Sequence, residues 1–329
     1  MHIPSPFHVL QVTIMHFFEA SVADVQPLCA DVARIEIDYP QILPPFDPGS
    51  HIDLKVYVDG RLETRSYSVV EHSAAQRLVI AVRRLPSGRG GSLYMHQLQA
   101  GERLEATLPA NHFTLGLGAP EVLLLAGGIG ITPIVGMART LKTRGIPFRF
   151  VYLGRSREAM PFLDLLAAEF PEELQVQADD EHGVVDPATL LAPLATDAEI
   201  YMCGPVPMME AVRAIWASQS RAPERLRFET FGGAGLKAAE AFRVKVPARG
   251  LDFMVPPNRS LLDALEEAGA EPLYSCRRGE CGLCAVDVIE LDGELDHRDV
   301  FFSESQKQEG KHLCACVSRV IGSVSVELP

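Results

Sequence analysis

Between about Val22 and Leu117, hydrophobic and polar residues alternate in short runs broken by Pro and Gly. Val32–Ile37, His51–Val58, Leu78–Arg83 and Arg103–Leu108 read as strands, and Pro44–Gly49 as a turn between two of them. Short strands at this spacing predict a small Greek-key barrel. After Pro120 the texture changes. Glu121–Ala126 is a nearly continuous apolar run, as a strand covered on both faces requires. Helical and extended segments then alternate: Ile134–Thr143, Phe148–Leu153, Pro161–Glu169, Leu174–Ala178, Pro187–Leu194, Glu199–Met202 and Val206–Ser218. This alternation predicts a doubly wound parallel sheet with its ligand at the carboxyl ends of the strands. Farther on, Phe242–Pro247 and Leu251–Val255 form a hairpin pattern, and Ser260–Gly269 a helix with Ser260 as N-cap. Extended runs at Ala285–Leu291 and Val324–Leu328 complete a β-grasp pattern. The expected organisation is an extension (1–21), a β-barrel (22–118), an α/β domain (119–231), a Gly/Ala-rich linker (232–240) and an α+β domain (241–329).

Composition narrows the function. The chain has 329 residues, 47% hydrophobic and 22% charged, the make-up of a soluble protein of two or three domains. A net charge of −13 opposes nucleic acid and anionic membranes as partners. No apolar run reaches the ~18 residues needed to span a bilayer. The first twenty residues lack a basic leader, so a cytoplasmic protein without a signal peptide is expected. Five of the seven cysteines fall between Cys276 and Cys316, leaving Cys29 and Cys203, which is not a disulfide framework.

Those five cysteines carry the most specific signal. Cys276, Cys281 and Cys284 form C-x4-C-x2-C, and Cys314 and Cys316 follow at a distance. This is the plant-type ligand pattern of a 2Fe–2S cluster. Structural zinc sites usually offer two C-x2-4-C knuckles instead. Gly279 and Gly282 let the backbone approach the cluster, and Arg277 and Arg278 offset its negative charge. Gly88-Arg89-Gly90-Gly91-Ser92, before a short helix at Leu93–Leu98, reads as a phosphate cradle of exposed N–H groups plus one arginine. Gly127–Pro133, a glycine turn after the buried strand, departs from the G-x-G-x-x-G fingerprint, so that argument for a dinucleotide is not available.

Several of these stretches resemble known families. Arg65-Ser66-Tyr67-Ser68 resembles the R-x-Y-S/T flavin motif of ferredoxin-reductase-like barrels, which implies Arg65 on the flavin phosphate, Tyr67 against the ring and Ser68 beside N5. Gly127-Gly128-Ile-Gly130-Ile-Thr132-Pro133 is similar to that superfamily's turn facing the NAD(P)H pyrophosphate. Cys203-Gly204-Pro205 with Met208 is similar to its C-G-P-x-x-M, which implies Cys203 near the nicotinamide C4. Cys276–Cys284, Asp296-His297-Arg298-Asp299 and Cys316-Val317-Ser318-Arg319 resemble the phthalate dioxygenase reductase family. That resemblance spans residues 22–329. It implies FMN rather than FAD, bound through Gly88–Ser92, with Ala81-Val82-Arg83 lining the ring and Phe231 packing on it. Its register makes Cys316 the fourth ligand. Plant-type spacing favours Cys314, and the two would face the same way if Leu313–Val317 were extended.

The resemblance further implies an enzyme that moves hydride from NADH to FMN, with Ser68 and Cys203 as the catalytic pair. A 2Fe–2S cluster then delivers electrons to a Rieske-type oxygenase, and a monomer is expected. Arg155, Ser156 and Arg157 follow the second strand of the α/β domain, where NADPH would need cations. A redox sensor and a stand-alone diaphorase are the alternative readings. Six acidic residues between Asp287 and Asp299 offer a docking face for a basic partner, and His297 is expected to hydrogen-bond its acidic neighbours.

Overall fold

The computed structural model describes residues 16–86, 88–231 and 239–329. Seven antiparallel strands form the first sheet: β1 (Phe18–Cys29), β2 (Val32–Asp38), β3 (Ser50–Val58), β4 (Arg61–Ala74), β5 (Arg77–Arg83), β6 (Arg103–Ala106) and β7 (Ala110–Asn111). Their order is β4-β5-β2-β1-β6-β3-β7, and β3 also pairs with β4, which closes the sheet into a barrel. Ile35, Ile37, Ile52, Leu54, Val56, Leu78 and Ile80 fill it. Two strands escape the sequence pattern. β1 begins at Phe18, opposite Ala106, so residues 18–21 belong to the barrel and not to an extension. β4 runs for 14 residues and carries Arg65–Ser68 in its middle.

The second sheet is parallel: β8 (Val122–Gly127), β9 (Phe148–Gly154), β10 (Leu174–Ala178), β11 (Glu199–Cys203) and β12 (Leu226–Glu229), in the order β10-β9-β8-β11-β12. Every residue of β8 is buried, the physical reason for its continuous apolar run. Helices at Ile131–Thr143, Leu163–Glu169, Pro187–Leu191 and Val206–Ser218 connect the strands. The strand order reverses between β8 and β11, the kind of switch point outside whose carboxyl ends open α/β sheets bind ligands. The barrel and this sheet share one hydrophobic cluster, in which Val70, Val79, Phe113 and Leu115 pack with Ile131, Ile134, Val135 and Met137.

The third sheet contains β13 (Phe242–Val246), β14 (Leu251–Val255), β15 (Ala285–Asp296), β16 (His312–Cys314) and β17 (Arg319–Glu327), in the order β14-β13-β17-β15-β16. Only the β13–β17 pair is parallel, as in a β-grasp fold. Ser260 caps the helix Leu261–Glu267 through a capping box with Asp263, and Leu261, Leu262 and Leu265 enter a separate core. The helix Glu304–Glu309 and strand β16 are additions to the sequence expectation, and β17 starts five residues earlier than expected. Most of the expected linker lies outside the described residues. Among the described residues no helix is long and apolar enough to cross a membrane.

Candidate electron-transfer site

The two glycine motifs of the parallel sheet interlock. Gly127 ends β8, Gly128 takes φ +53°, and the chain turns tightly into the helix that contains Thr132 and Pro133. A Cβ on Gly130 would stand 2.2 Å from the Cys203 carbonyl oxygen, and one on Gly127 would stand 2.6 Å from Pro205 Cδ. Gly204 abuts Gly127 and lies under Met208. Thr132 is buried and donates to the Ile129 carbonyl (3.1 Å). Met209 enters the core, while Met208 stays half-buried over the glycines. Arg157 is engaged by Glu181 (2.8 Å), and Arg155 is exposed.

Five of the expected flavin residues meet in one cavity. Arg65, Ser66, Ser68, Arg89 and Phe231 line it, together with Cys276 and Cys316 from the third sheet. Phe231 is 44% exposed and therefore not a core residue. Arg65 binds the Glu63 carboxylate and the Arg89 carbonyl (3.1 Å), and Gly91 has no Cβ to displace it. Burial, and then the neighbouring Arg65, lower the Arg89 pKa. Two adjacent guanidiniums in a cavity fit an anion such as a phosphate.

Other expected flavin residues stand elsewhere. Ser92 accepts the Leu85 N–H (3.0 Å) and so shapes the loop containing Gly88 and Gly90. The helix here is Gly91–Met95 rather than Leu93–Leu98. Tyr67 packs against the barrel core, Ala81 and Val82 lie within the barrel and shared cores, and Arg83 pairs with Asp31 (2.7 Å). None of these four lines the cavity.

The cysteine loop is built for close approach. Gly279 and Gly282 have φ of +77° and +73°, and a Cβ on Gly282 would enter the Phe301 ring. Cys281 is exposed and Cys276 half-buried, while Cys284 and Cys316 are buried with their sulfurs 3.2 Å apart. The Cys276 sulfur accepts the Arg278 N–H (3.4 Å). A loop of glycines that admits close approach, two thiols in contact and an N–H donor on a third fit the residues to a cluster held by thiolates. Among the described residues no three metal-ligating side chains gather around one point. A two-iron cluster takes only two thiolates per iron.

Residues 313–317 are not extended, which removes the basis for treating Cys314 and Cys316 as equivalent. β16 ends at Cys314 and the chain turns, with the Val317 N–H donating to the Cys314 carbonyl (3.2 Å). Both cysteines are buried in the third core, and contact with Cys284 followed by burial raises both thiols, but Cys316 lines the cavity beside Cys276 and Cys314 does not. The acidic face also shrinks. Asp287, Glu290, Asp292 and Glu294 are exposed, but Asp296 is buried against Arg298 (2.6 Å) and Asp299 accepts from Ser318 (3.0 Å). His297 makes its expected contact with Asp299 (3.3 Å).

Sequence reasoning missed Glu229, His51 and His112. Glu229 ends β12, is 1% exposed, accepts from Ser68 Oγ (3.2 Å) and binds the Arg278 guanidinium. Burial pushes its carboxyl group up to about 7 against the pull of Arg278. Cys203 pairs with it in register, and burial followed by Glu229 raises that thiol well above its ordinary value. His51 and His112 also line the cavity, their rings 5.1 Å apart, and burial followed by Arg278 lowers His51 to about 4. An acid closing a parallel strand was the available signal for Glu229. Nothing comparable marked the histidines.

Comparison with known proteins identifies the family. Residues 19–115 match the family model described as an oxidoreductase FAD-binding domain, and residues 244–320 the 2Fe–2S iron–sulfur cluster binding domain. The two matches define an oxidoreductase that carries a flavin and a 2Fe–2S cluster. The chain is 34% identical over 316 residues to phthalate dioxygenase reductase of Burkholderia cepacia, covering 92% of this chain and 94% of that one. It is 37% identical to the phenoxybenzoate dioxygenase subunit beta of Ectopseudomonas oleovorans, covering 87% and 88%. A solved phthalate dioxygenase reductase, described as a modular structure for electron transfer from pyridine nucleotides to [2Fe–2S], superposes with a TM-score of 0.77 at 32% identity, covering 95% and 98%. The chain belongs to the phthalate dioxygenase reductase family.

Proposed function

We propose that this chain accepts hydride from NADH on FMN and delivers electrons through its cluster to a Rieske-type oxygenase, as a cytoplasmic monomer. The observation that carries this reading is the shared cavity, where Arg65, Ser68, Arg89 and Phe231 face Cys276 and Cys316. A bound flavin takes up a hydride and releases single electrons, and the protein contributes position and electrostatics. Arg65 and Arg89 would neutralise the flavin phosphate, Ser68 would offer its hydroxyl to the flavin N5, and Phe231 would pack on the ring. The turn of Gly128, Gly130, Thr132 and Pro133 and the facing Cys203–Pro205 would receive the nicotinamide nucleotide, with Met208 packed over Gly127 and Gly204. Cys276, Cys281, Cys284 and Cys316 hold the irons. Residues 18–118, 119–231 and 241–329 are the three working units. FMN is favoured over FAD by the short arginine-bearing loop at Gly88–Ser92, and NADH by the engagement of Arg157 with Glu181.

The test begins with cofactor content. The purified protein should release FMN and contain two irons and two acid-labile sulfides per chain. Recovery of FAD would overturn the phosphate argument, and zinc would overturn the cluster. Electron delivery to an oxygenase encoded beside it separates this reading from a diaphorase or a sensor, both of which would leave that oxygenase oxidised.

A further inference from the structure

Arg278 belongs to the cluster loop, two residues past Cys276, but its side chain leaves the third sheet. It is 7% exposed, binds Glu229 at the end of β12 and approaches His112 of the barrel (3.5 Å). Its backbone is held as well. The Arg278 N–H donates to Cys276 Sγ (3.4 Å), and its carbonyl accepts from Thr230 Oγ1 (2.8 Å). The Thr230 N–H donates to Glu280 Oε1 (2.5 Å), and the other Glu280 oxygen lies 3.6 Å from Arg278. Two residues that close the parallel sheet are thus joined to the loop that presents Cys276. A buried ion pair adds little net stability, because desolvation offsets its attraction. A planar, forked guanidinium does fix direction. What this one fixes is the sulfur that borders the cavity beside Ser68 and Phe231.

We propose that Arg278 is a positioning residue for flavin-to-cluster electron transfer. By joining Glu229 and His112 to the cysteine loop, it holds the Cys276 edge of the cluster at one distance and orientation from the flavin. The inference rests on the electron route proposed above. Each transfer moves one electron from reduced flavin to oxidised cluster, and no bond forms or breaks. Tunnelling falls steeply with separation, so loosening this junction slows that step and spares hydride uptake.

The test mixes the holoprotein with NADH anaerobically and follows flavin and cluster bleaching separately, in the wild type, Arg278→Lys and Thr230→Val. In both variants flavin reduction should stay near the wild-type rate. Cluster reduction should slow by about tenfold or more, since an ångström-scale misplacement costs factors of that order. Iron content and the cluster's electron-paramagnetic-resonance spectrum should be unchanged, and amide exchange across residues 276–281 should rise. Thr230→Val touches no proposed ligand, so it decides the matter alone should Arg278→Lys fail to assemble a cluster. Wild-type cluster reduction in Thr230→Val, or equal slowing of both steps, would overturn the inference. A wild-type cluster that NADH never reduces would instead overturn the route.

Discussion

Two close contacts of this molecule are made of different matter. At the mouth of the parallel sheet, backbone meets backbone, with Gly127 and Gly130 pressed against Cys203, Gly204 and Pro205. At the cluster loop, charge meets charge, as Glu229, Arg278 and Glu280 share a buried pocket with Thr230. The first junction is specified by the absence of side chains, so substitution there costs stability directly. The second is specified by partners that must all be present, so substitution there alters geometry and titration before stability.

The largest effect separates two cysteines at the charged end. Cys316→Ser is expected to lose the cluster, while Cys314→Ser keeps it, as read by iron content and visible absorbance. The opposite result would show that spacing, not the cavity, selects the ligand. At the packed junction, Gly130→Ala forces a Cβ to 2.2 Å from a backbone oxygen that cannot swing aside. A loss of about 3 kcal/mol in urea unfolding is expected, at the upper end for overpacking. A loss below about 1 kcal/mol would show that this junction yields.

Smaller effects come from single charges. Arg65→Ala should weaken flavin binding by about tenfold, the loss of one charge-assisted contact, as measured by flavin fluorescence. Ser92→Ala should change it little, because that hydroxyl serves Leu85. Unchanged affinity in Arg65→Ala would remove the arginine from the phosphate site.

A further effect is a slope. Glu229 sits among Ser68, Cys203, Arg278 and Glu280, and its carboxyl group is raised from the ordinary 4.5 to about 7. The folded state therefore binds this proton more tightly than the unfolded chain does. The resulting stabilisation is full below about pH 4.5 and is lost as pH rises to about 7. Glu229→Gln should flatten that decline in thermal melts, and an identical slope in the variant would place the titration elsewhere.

The contrast between the junctions also marks what the sequence could reveal. Gly127–Pro133 and Cys203–Met208 were legible because each motif is contiguous and its chemistry is steric. The cysteine loop was legible for the same reason. β1 was missed because Ala20 and Val22 are its only fully buried side chains in the first half, too weak a pattern beside Pro27. The Glu229–Arg278–His112 meeting was invisible, since its members are separated by 49 and 166 residues and none is unusual alone. Ala81–Arg83, assigned to the flavin ring by likeness, has its side chains in the barrel cores and on Asp31, a placement that no motif announces.

The hydrophobic cluster shared by the barrel and the parallel sheet has a consequence for exchange of parts between proteins. A crossover near residue 118 would strip Phe113 and Leu115 from Ile131, Ile134 and Met137, leaving two greasy faces and no viable half. A crossover in 232–240 cuts no such core, because the cysteine-bearing segment packs on its own Phe242, Val244, Leu261 and Leu265. Chimeras made at the second point inherit an intact reducing half and a new outlet, whereas those made at the first should aggregate. The molecule is a two-part kit for recombination, even though three sheets can be counted in it.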